Sequence, residues 1–276
     1  MRDRLTLSRL LIIRRAVLLA VLLALVPSAA AQQPFNTDDA EVTPKGKWHF
    51  EFANELDELR PLNFPNRRQN TANFKFAYGI RENVEVGLDN QYLALFNDPN
   101  PNLPRTAVGF GDMDFSVKYK FHKEREGSRL PDLAASLNVE FPTGDSSKQL
   151  GTGLTDYVLN GIVQKSLTDK TKLRLNGGFV FAGNTLTGVV GVRTRGTIYT
   201  GGVSLVRGFT PKLQLGAELT GAETANFQLA TNGQLQIQVG GNYELRKDFS
   251  FDFGVTNGFY ATSPRVGGQL GFSINF

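Results

Sequence analysis

Apolar residues alternate with small or polar residues through most of the chain after residue 31, and this period of two constrains the fold more than any other feature. In the stretch MDFSVKYKF, residues 113–121, each odd-numbered side chain is apolar and each even-numbered one is polar. No stretch after residue 31 keeps an apolar period of 3.6 residues, so helices are not expected. Since successive side chains of a strand point to opposite faces, the pattern predicts an all-β chain of two-faced strands.

Short and long connections separate these strands in turn. We predict twelve strands, beginning near Lys47, Thr71, Val84, Gly111, Asp132, Thr155, Lys172, Gly196, Leu213, Leu235, Phe249 and Arg265. The connections at one end are mostly tight, such as residues 79–83 and 246–248, and those at the other end are longer and rich in Pro, Asn, Gly and Thr. This arrangement is typical of an antiparallel transmembrane β-barrel. An even number of strands places both chain ends on the short-turn, periplasmic side.

The two faces of the strands indicate that the apolar face meets lipid. Aromatic residues lie on that face near the strand ends, in two groups: Trp48, Tyr78, Tyr119, Phe121, Tyr243 and Phe249 at the short-turn end, and Tyr92, Phe141, Tyr157 and Phe181 at the loop end. Two aromatic girdles fit the two interfaces of a bilayer. The opposite face carries too many charges for a dry core. The alternative is an exported soluble β-sandwich or lipocalin-like barrel, whose apolar face would point inward.

The first residues have the pattern of a secretory signal peptide. Five Arg precede the apolar run AVLLAVLLALV, residues 16–26, and Ala29 and Ala31 provide small residues for cleavage after Ala31. We therefore predict a cleaved signal peptide over residues 1–31, a short periplasmic segment over 32–46 and the barrel over 47–276. Without residues 1–31 the chain has 25 basic and 25 acidic residues. This balance gives no support for nucleic-acid binding.

The chain ends with the alternating stretch GGQLGFSINF. As the twelfth strand, it is expected to pair with the first and close the sheet without an edge. Leu270, Phe272, Ile274 and Phe276 would face lipid. The terminal Phe276 resembles the signal that the outer-membrane assembly machinery reads on its substrates, so that machinery and the outer-membrane lipid are the expected partners.

Four stretches resemble a known family: PFNTDDAEVTPKGKWHFEF, FAYGIRENVEVGLDNQY, GFGDMDFSVKYKF and NVEFPTGDSSKQLGTGLTDY. Together they are similar to bacterial outer-membrane β-barrel proteins of the meta-pathway phenol degradation family, also described as transporters. The resemblance is good from Pro34 to about Leu167. It implies a barrel in the outer membrane of a Gram-negative bacterium, and uptake of aromatic or hydrophobic compounds.

Signatures of catalysis are not found in the sequence. The chain has no Cys and only two His, His49 and His122, whose neighbours offer no metal-ligand spacing. We expect both His to be solvated polar residues. We therefore predict no enzyme activity, no cofactor and no metal site. No plug domain and no nucleotide site are apparent.

Inward-facing charges give the one sharper hypothesis about function. The predicted lumen-lining residues are Asp112, Asp114, Lys118, Lys120, Glu140, Asp156, Lys172 and Arg174. The acidic residues lie near the loop ends of their strands and the basic residues near the turn ends. The wall that they form would shape a narrow aqueous path and set its ion preference. The alternative is that these charges pair across strands and fill the lumen.

The predicted function is therefore passive passage, or binding and uptake, of small molecules through an outer-membrane barrel. Two alternatives stay open. One is a lumen-plugged barrel that passes hydrophobic compounds laterally, and the other is a structural or adhesive barrel without transport.

Overall fold

The computed structural model describes residues 34–61, 65–182, 196–224, 233–260 and 262–276, so the predicted signal peptide lies outside the described residues. The described residues form twelve strands: β1 (Trp48–Glu58), β2 (Asn66–Arg81), β3 (Val84–Asn97), β4 (Thr106–His122), β5 (Asp132–Phe141), β6 (Asp156–Thr168), β7 (Thr171–Ala182), β8 (Gly196–Gly208), β9 (Leu213–Thr224), β10 (Gln234–Arg246), β11 (Phe249–Gly258) and β12 (Val266–Asn275). One turn of 3-10 helix, Ser146–Lys148, lies between β5 and β6. Within these ranges no helix has the length and apolarity needed to cross a bilayer.

The strands form one closed barrel in which each strand pairs antiparallel with its neighbours in sequence, and β12 pairs with β1. The last residue completes this closure. Trp48 N–H donates to the Phe276 carbonyl at 2.8 Å, and Phe276 N–H donates to the Trp48 carbonyl at 3.0 Å. The predicted all-β barrel of twelve strands, closed by the C-terminal strand, is therefore confirmed. A closed sheet leaves no row of unpaired backbone groups, which a lipid environment requires.

Ten of the predicted strands begin within one residue of the observed ones, whereas β2 and β4 begin five residues earlier than predicted. In β4 the cause is a β-bulge: Gly111 and Asp112 together oppose Gln91 of β3. The extra residue shifts the alternation, so that Phe110 and Phe115 both face outward although they are five residues apart. A reading based on strict alternation therefore misses the part of β4 before the bulge.

The outer surface of the barrel is apolar. The large exposed side chains include the predicted girdle residues Trp48, Tyr119, Phe121 and Tyr243 at the short-turn end and Tyr92, Phe141, Tyr157 and Phe181 at the loop end. Leu270 of β12 is 59% exposed and its neighbour Gln269 is 8% exposed. An apolar exterior between two aromatic girdles is typical of a lipid-facing surface.

The interior is polar. More of the buried side chains are polar or charged than apolar in the described part of the chain, and the apolar ones form only small separate clusters. This is the reverse of a soluble barrel, whose core is filled by apolar side chains. The functional question therefore concerns how these inward polar groups are arranged.

Candidate functional site in the barrel lumen

Residues 34–46, called the inner segment below, lie against the inner wall of the barrel. The sequence predicts this stretch to be part of a short periplasmic segment. In the structure, Gln238 of β10 donates to the Pro34 carbonyl, and Thr43 N–H donates to Glu85 of β3 at 2.6 Å. Between these two points the inner segment crosses from β10 past the strands in between to β3. Sequence analysis missed this course and the resulting partial filling of the lumen.

Backbone groups of the inner segment are bound by inward side chains of distant strands. Glu218 of β9 accepts hydrogen bonds from Asn36 N–H at 2.9 Å and Thr37 N–H at 2.8 Å, and from the Thr37 hydroxyl at 2.6 Å. Asn176 of β7 accepts from Asp38 N–H at 2.6 Å and donates to the Asp38 carbonyl at 3.0 Å. Buried backbone groups need such partners. The barrel wall therefore supplies the pairing that a neighbouring strand would otherwise give.

Glycines in the barrel wall make room for the inner segment. A Cβ atom placed on Gly240 would lie 2.3 Å from the Phe253 carbonyl oxygen and 2.9 Å from Pro34 Cγ. One placed on Gly216 would lie 2.7 Å from the Leu205 carbonyl oxygen and 2.9 Å from Phe35 Cζ. At Gly202 the same atom would lie 3.2 Å from Thr37 Oγ1. These glycines belong to β8, β9 and β10, so three adjacent strands form a shallow groove for residues 34–37. Glycine within a strand often marks such a close backbone approach.

Acidic residues of the inner segment meet the predicted basic residues. Lys118 Nζ lies 3.1 Å from Asp38 Oδ1, 3.8 Å from Asp39 Oδ1 and 3.6 Å from Glu85 Oε1. Arg174 Nη2 lies 3.3 Å from Asp39 Oδ2, and both side chains are 4% exposed. Charges this deeply buried are stable only when paired and hydrogen-bonded. Lys118 and Arg174 therefore hold the inner segment in place.

Lys120 and Lys172 complete the basic group. Lys120 Nζ lies 3.0 Å from Glu41 Oε2 and 2.8 Å from Asp132 Oδ1, and Gln164 donates to Glu41 Oε1 at 3.3 Å. Lys172 is half-buried on the same face of β7 as Arg174, and its charge acts on Asp39. The predicted basic residues of the wall thus lie near residues 37–41, TDDAE, of the inner segment.

A cavity of about 530 Å³ lies inside the barrel, with Asn36, Thr37 and Asp38 of the inner segment in its lining. Carboxylates and amides dominate the rest of the lining. The charged residues among the described lining are Asp38, Glu55, Asp57, Asp114 and Glu140, with Lys75 as the single cation. The formal charge of the cavity wall is therefore negative. Its volume is in the range of small-molecule sites.

Strand register explains why the acidic residues meet. Lys75, Asp89, Asp114, Glu140 and Asp156 are direct cross-strand partners in succession from β2 to β6. Side chains that are directly opposite on one face lie about 5 Å apart. The structure thus brings three of the predicted acidic residues into one row, to which Asp89 also belongs.

Asp112 does not belong to this row of acidic residues and has a different role. Its carboxylate accepts hydrogen bonds from Gly144 N–H and Thr152 N–H, both at 2.9 Å, and the side chain is 3% exposed. It thereby fixes the loop between β5 and β6 over the barrel end. In that loop, hydrogen bonds from Ser147 and the ion pair with Lys148 hold the pKa of Asp145 at about 2.

The expectation that both histidines are solvated is wrong for His49, which is buried, whereas His122 is half-buried. His49 is 8% exposed, and its ring nitrogens lie 2.7 Å from Asn275 Oδ1 and 2.7 Å from Glu51 Oε1. His122 contacts the Pro131 carbonyl at 2.7 Å. Among the described residues, no group of three His, Asp or Glu side chains is arranged to bind a metal ion.

The fold of this barrel is similar to that of solved outer-membrane channels and porins. It is similar to the COG4313 outer membrane channel from Pseudomonas putida F1, with a TM-score of 0.66 and 13% identity over 86% of this chain and 98% of that chain. It is also similar to the NanC porin, with a TM-score of 0.56 and 9% identity over 82% of this chain and 98% of the porin. The KdgM porin gives a TM-score of 0.55 and 10% identity over 83% of this chain and 99% of the porin.

A family model described as "Putative MetA-pathway of phenol degradation" matches residues 31–276. No curated protein matches the chain by sequence.

Proposed function

We propose that this chain, which belongs to the family described as "Putative MetA-pathway of phenol degradation", forms a passive channel for small molecules in the outer membrane of a Gram-negative bacterium. One observation carries the proposal: a closed barrel with an apolar exterior encloses a polar cavity of about 530 Å³. Such a cavity within a lipid-facing wall offers polar solutes a route that avoids hydrocarbon.

The cavity wall favours polar or cationic solutes. Five carboxylates and many amides line it, whereas the apolar side chains among its described lining are limited to Val158, Ala222 and Pro264. The family description connects the chain with phenol degradation, and a phenol hydroxyl could bind to these amides and carboxylates. A purely hydrophobic compound would gain little from this lining. We therefore expect the channel to prefer small polar solutes, including hydroxylated aromatic compounds, to hydrocarbons.

The inner segment favours a second candidate, a barrel whose lumen is plugged. Its ion pairs with Lys118, Lys120 and Arg174 hold it against the wall. If it closes the lumen fully, solutes would have to leave sideways through the wall, or the barrel would serve a structural or adhesive role. The two candidates share one fold and differ only in whether the lumen conducts.

The C-terminal strand indicates which partners the proposed channel would have. Its outward residues face lipid, and Phe276 lies at the short-turn end, where it pairs with Trp48. We infer that the outer-membrane assembly machinery recognises this strand before the barrel closes. The proposal includes no enzyme activity and no cofactor.

Single-channel recording in planar lipid bilayers tests the proposal. The processed barrel should give a steady current without added ligand, because under this proposal the polar cavity opens to both ends of the barrel. A silent barrel that is folded, as judged by its heat-modifiable migration in gels, would refute the channel and favour the plugged alternative. Liposome swelling with neutral polar solutes of increasing size would then measure the width of the path.

A further inference from the structure

Glu55 and Asp57 form a pair of carboxylates in the cavity wall. They are two residues apart on the inward face of β1, and both line the cavity. The backbone positions are about 7 Å apart, but the two carboxyl groups lie within hydrogen-bond distance of each other. Two like charges this close repel each other unless positive charge lies near them. A cation or a proton is therefore expected at this pair.

The described part of the barrel brings no cationic side chain to the pair. Neither Glu55 nor Asp57 takes part in the ion pairs that the described residues form. The charges that act on Glu55 are those of Asp57 and Glu218, and both are negative. Lys75, the single cation of the described cavity lining, is the cross-strand partner of Glu51. Since Glu51 is four residues before Glu55, the Lys75 backbone lies about 14 Å along the barrel wall from the pair.

One oxygen of the pair has no donor. Asp57 is 2% exposed, and its Oδ2 accepts a hydrogen bond from Gln69 Nε2 at 3.3 Å. Its Oδ1 accepts none from any residue that the structure describes. Buried carboxylate oxygens are rarely left in this state. Gly267 of β12, the cross-strand partner of Asp57, has no side chain and leaves space for this oxygen. The wall thus makes room for the Asp57 carboxylate but supplies only part of the donors that it needs.

We propose that Glu55 and Asp57 bind the ammonium group of a small organic solute in the cavity. A primary ammonium group has three N–H donors, which match two carboxylates and one further oxygen. The Thr71 hydroxyl is suited to be the third acceptor, because Thr71 is the cross-strand partner of Glu55 and also lines the cavity. A metal ion fits less well, since the described residues contain no group of three His, Asp or Glu side chains arranged for one.

The opposite wall leaves room for the rest of such a solute. In the ring of twelve strands, β8 lies opposite β2. The cavity-lining residues Thr200, Gly201 and Gly202 of β8 are small and uncharged, and so are Gly221 and Ala222 of β9. The cavity volume of about 530 Å³ is in the range of sites for small organic molecules. The uncharged part of the solute would therefore face small side chains while its ammonium group meets the carboxylate pair.

Two probes of similar shape test the site: benzylamine, which is a cation at neutral pH, and benzyl alcohol, which is neutral. Their binding to the folded full-length barrel in detergent at low salt is measured by saturation-transfer NMR titration. We expect benzylamine to bind at least about tenfold more tightly than the alcohol. In Glu55→Gln/Asp57→Asn its affinity should fall to that of the alcohol. Glu58→Gln is the matched control, because Glu58 lies on the opposite face of β1 and pairs with Arg68.

A second pair of variants moves Asp57 without changing any charge. A Cβ on Gly267 would lie 2.1 Å from Asp57 Oδ1, whereas the nearest backbone atom, the Leu56 carbonyl oxygen, would be 3.6 Å away. Gly267→Ala should therefore displace the Asp57 carboxylate and weaken benzylamine binding about tenfold, with no effect on benzyl alcohol. A Cβ on the neighbouring Gly268 would meet nothing within 4 Å, so Gly268→Ala should bind both probes like the wild type.

Two results would overturn the proposal. Equal binding of the two probes by the wild type would mean that the carboxyl groups share a proton and hold no ammonium group. An equal loss of benzylamine binding in Asp114→Asn/Glu140→Gln would mean that the probe follows the general negative charge of the cavity and not this pair.

The inference rests on the proposed function in that it names a solute class for the channel, but the two can fail separately. Binding of benzylamine is measured without any current. A barrel that is silent in lipid bilayers and still binds benzylamine through Glu55 and Asp57 would refute the channel but not the site. A conducting barrel that binds both probes equally would refute the site but not the channel.

Discussion

The Arg174 guanidinium and the Asp39 carboxylate are 3.3 Å apart inside the barrel, although 135 positions separate them in the chain. The pair joins the inner segment to β7. Lys118 of β4 reaches the same carboxylate at 3.8 Å, so cations from two strands hold one residue. The lumen is therefore organised around a segment that precedes the first strand.

Loss of this pair should destabilise the barrel. In Arg174→Met the Asp39 carboxylate stays buried with weaker compensation, and breaking one half of a buried ion pair costs about 3–5 kcal/mol. We expect the free energy of unfolding in urea to fall by about this amount. Arg246→Met removes an exposed arginine and should change it by less than about 0.5 kcal/mol. The double variant Asp39→Asn/Arg174→Met should lose less free energy of unfolding than the sum of the two single variants. Strictly additive losses would contradict an interaction between Asp39 and Arg174.

The glycine groove can be tested with two adjacent residues. A Cβ at Gly202 would lie 3.1 Å from Thr220 Cγ2 of the wall and 3.2 Å from Thr37 Oγ1 of the inner segment. At Gly201 the nearest atom to a new Cβ is the Asn176 carbonyl oxygen at 3.7 Å. Gly202→Val should weaken the hydrogen bonds from Thr37 to Glu218. Each such bond to a charged group is worth about 1.5–3 kcal/mol, so amide hydrogen exchange in residues 34–46 should rise at least about tenfold. Exchange that rises equally in Gly201→Val would contradict this assignment.

The ion preference of the channel should depend on the row of acidic residues in the lumen. Asp114 and Glu140 line the cavity and are cross-strand partners. If the lumen conducts, Asp114→Asn/Glu140→Gln should shift the reversal potential in a salt gradient toward lower cation preference, because two of the negative charges facing the path are lost. Asp145→Asn, in the exposed loop, is the control. A reversal potential that does not change in the double variant would show that the row does not face the conducting path.

Asp112 should act on the loop and not on selectivity. Asp112→Asn keeps the size of the side chain but replaces one acceptor oxygen by a donor, so one of the two backbone amides at Gly144 and Thr152 loses its acceptor. A lost charged hydrogen bond costs about 1.5–3 kcal/mol. Limited proteolysis should therefore cleave the loop over residues 143–155 faster, by about tenfold or more. Cleavage at the wild-type rate would mean that other contacts hold the loop.

Removal of Phe276 should impair closure. The residue exchanges two backbone hydrogen bonds with Trp48, each worth about 1 kcal/mol net, and adds an aromatic group at the membrane interface. We expect the truncated chain to assemble more slowly into the heat-modifiable form in vivo. Phe276→Tyr keeps the backbone bonds and the aromatic ring and should assemble normally. Equal assembly of the truncated chain would contradict a role for the terminal residue.

Much of the fold could be predicted because it depends on local patterns. Alternation marks each strand, and short turns join antiparallel neighbours. The closure of β12 on β1 follows from the need to leave no edge, and the two strands pair as expected. The early part of β4 was missed because the bulge at Gly111 and Asp112 shifts the alternation by one residue.

The sequence by itself determined which side chains face outward and which face inward wherever a strand has no bulge, because successive side chains of a regular strand point to opposite faces. It could not determine what the inward charges meet, because ion pairs such as Lys118–Asp38 join residues 80 positions apart. Only the tertiary structure placed the acidic inner segment against the basic residues of β4 and β7. The physical reason is that a buried cation needs a nearby anion, and the closed barrel brings that anion from the start of the chain.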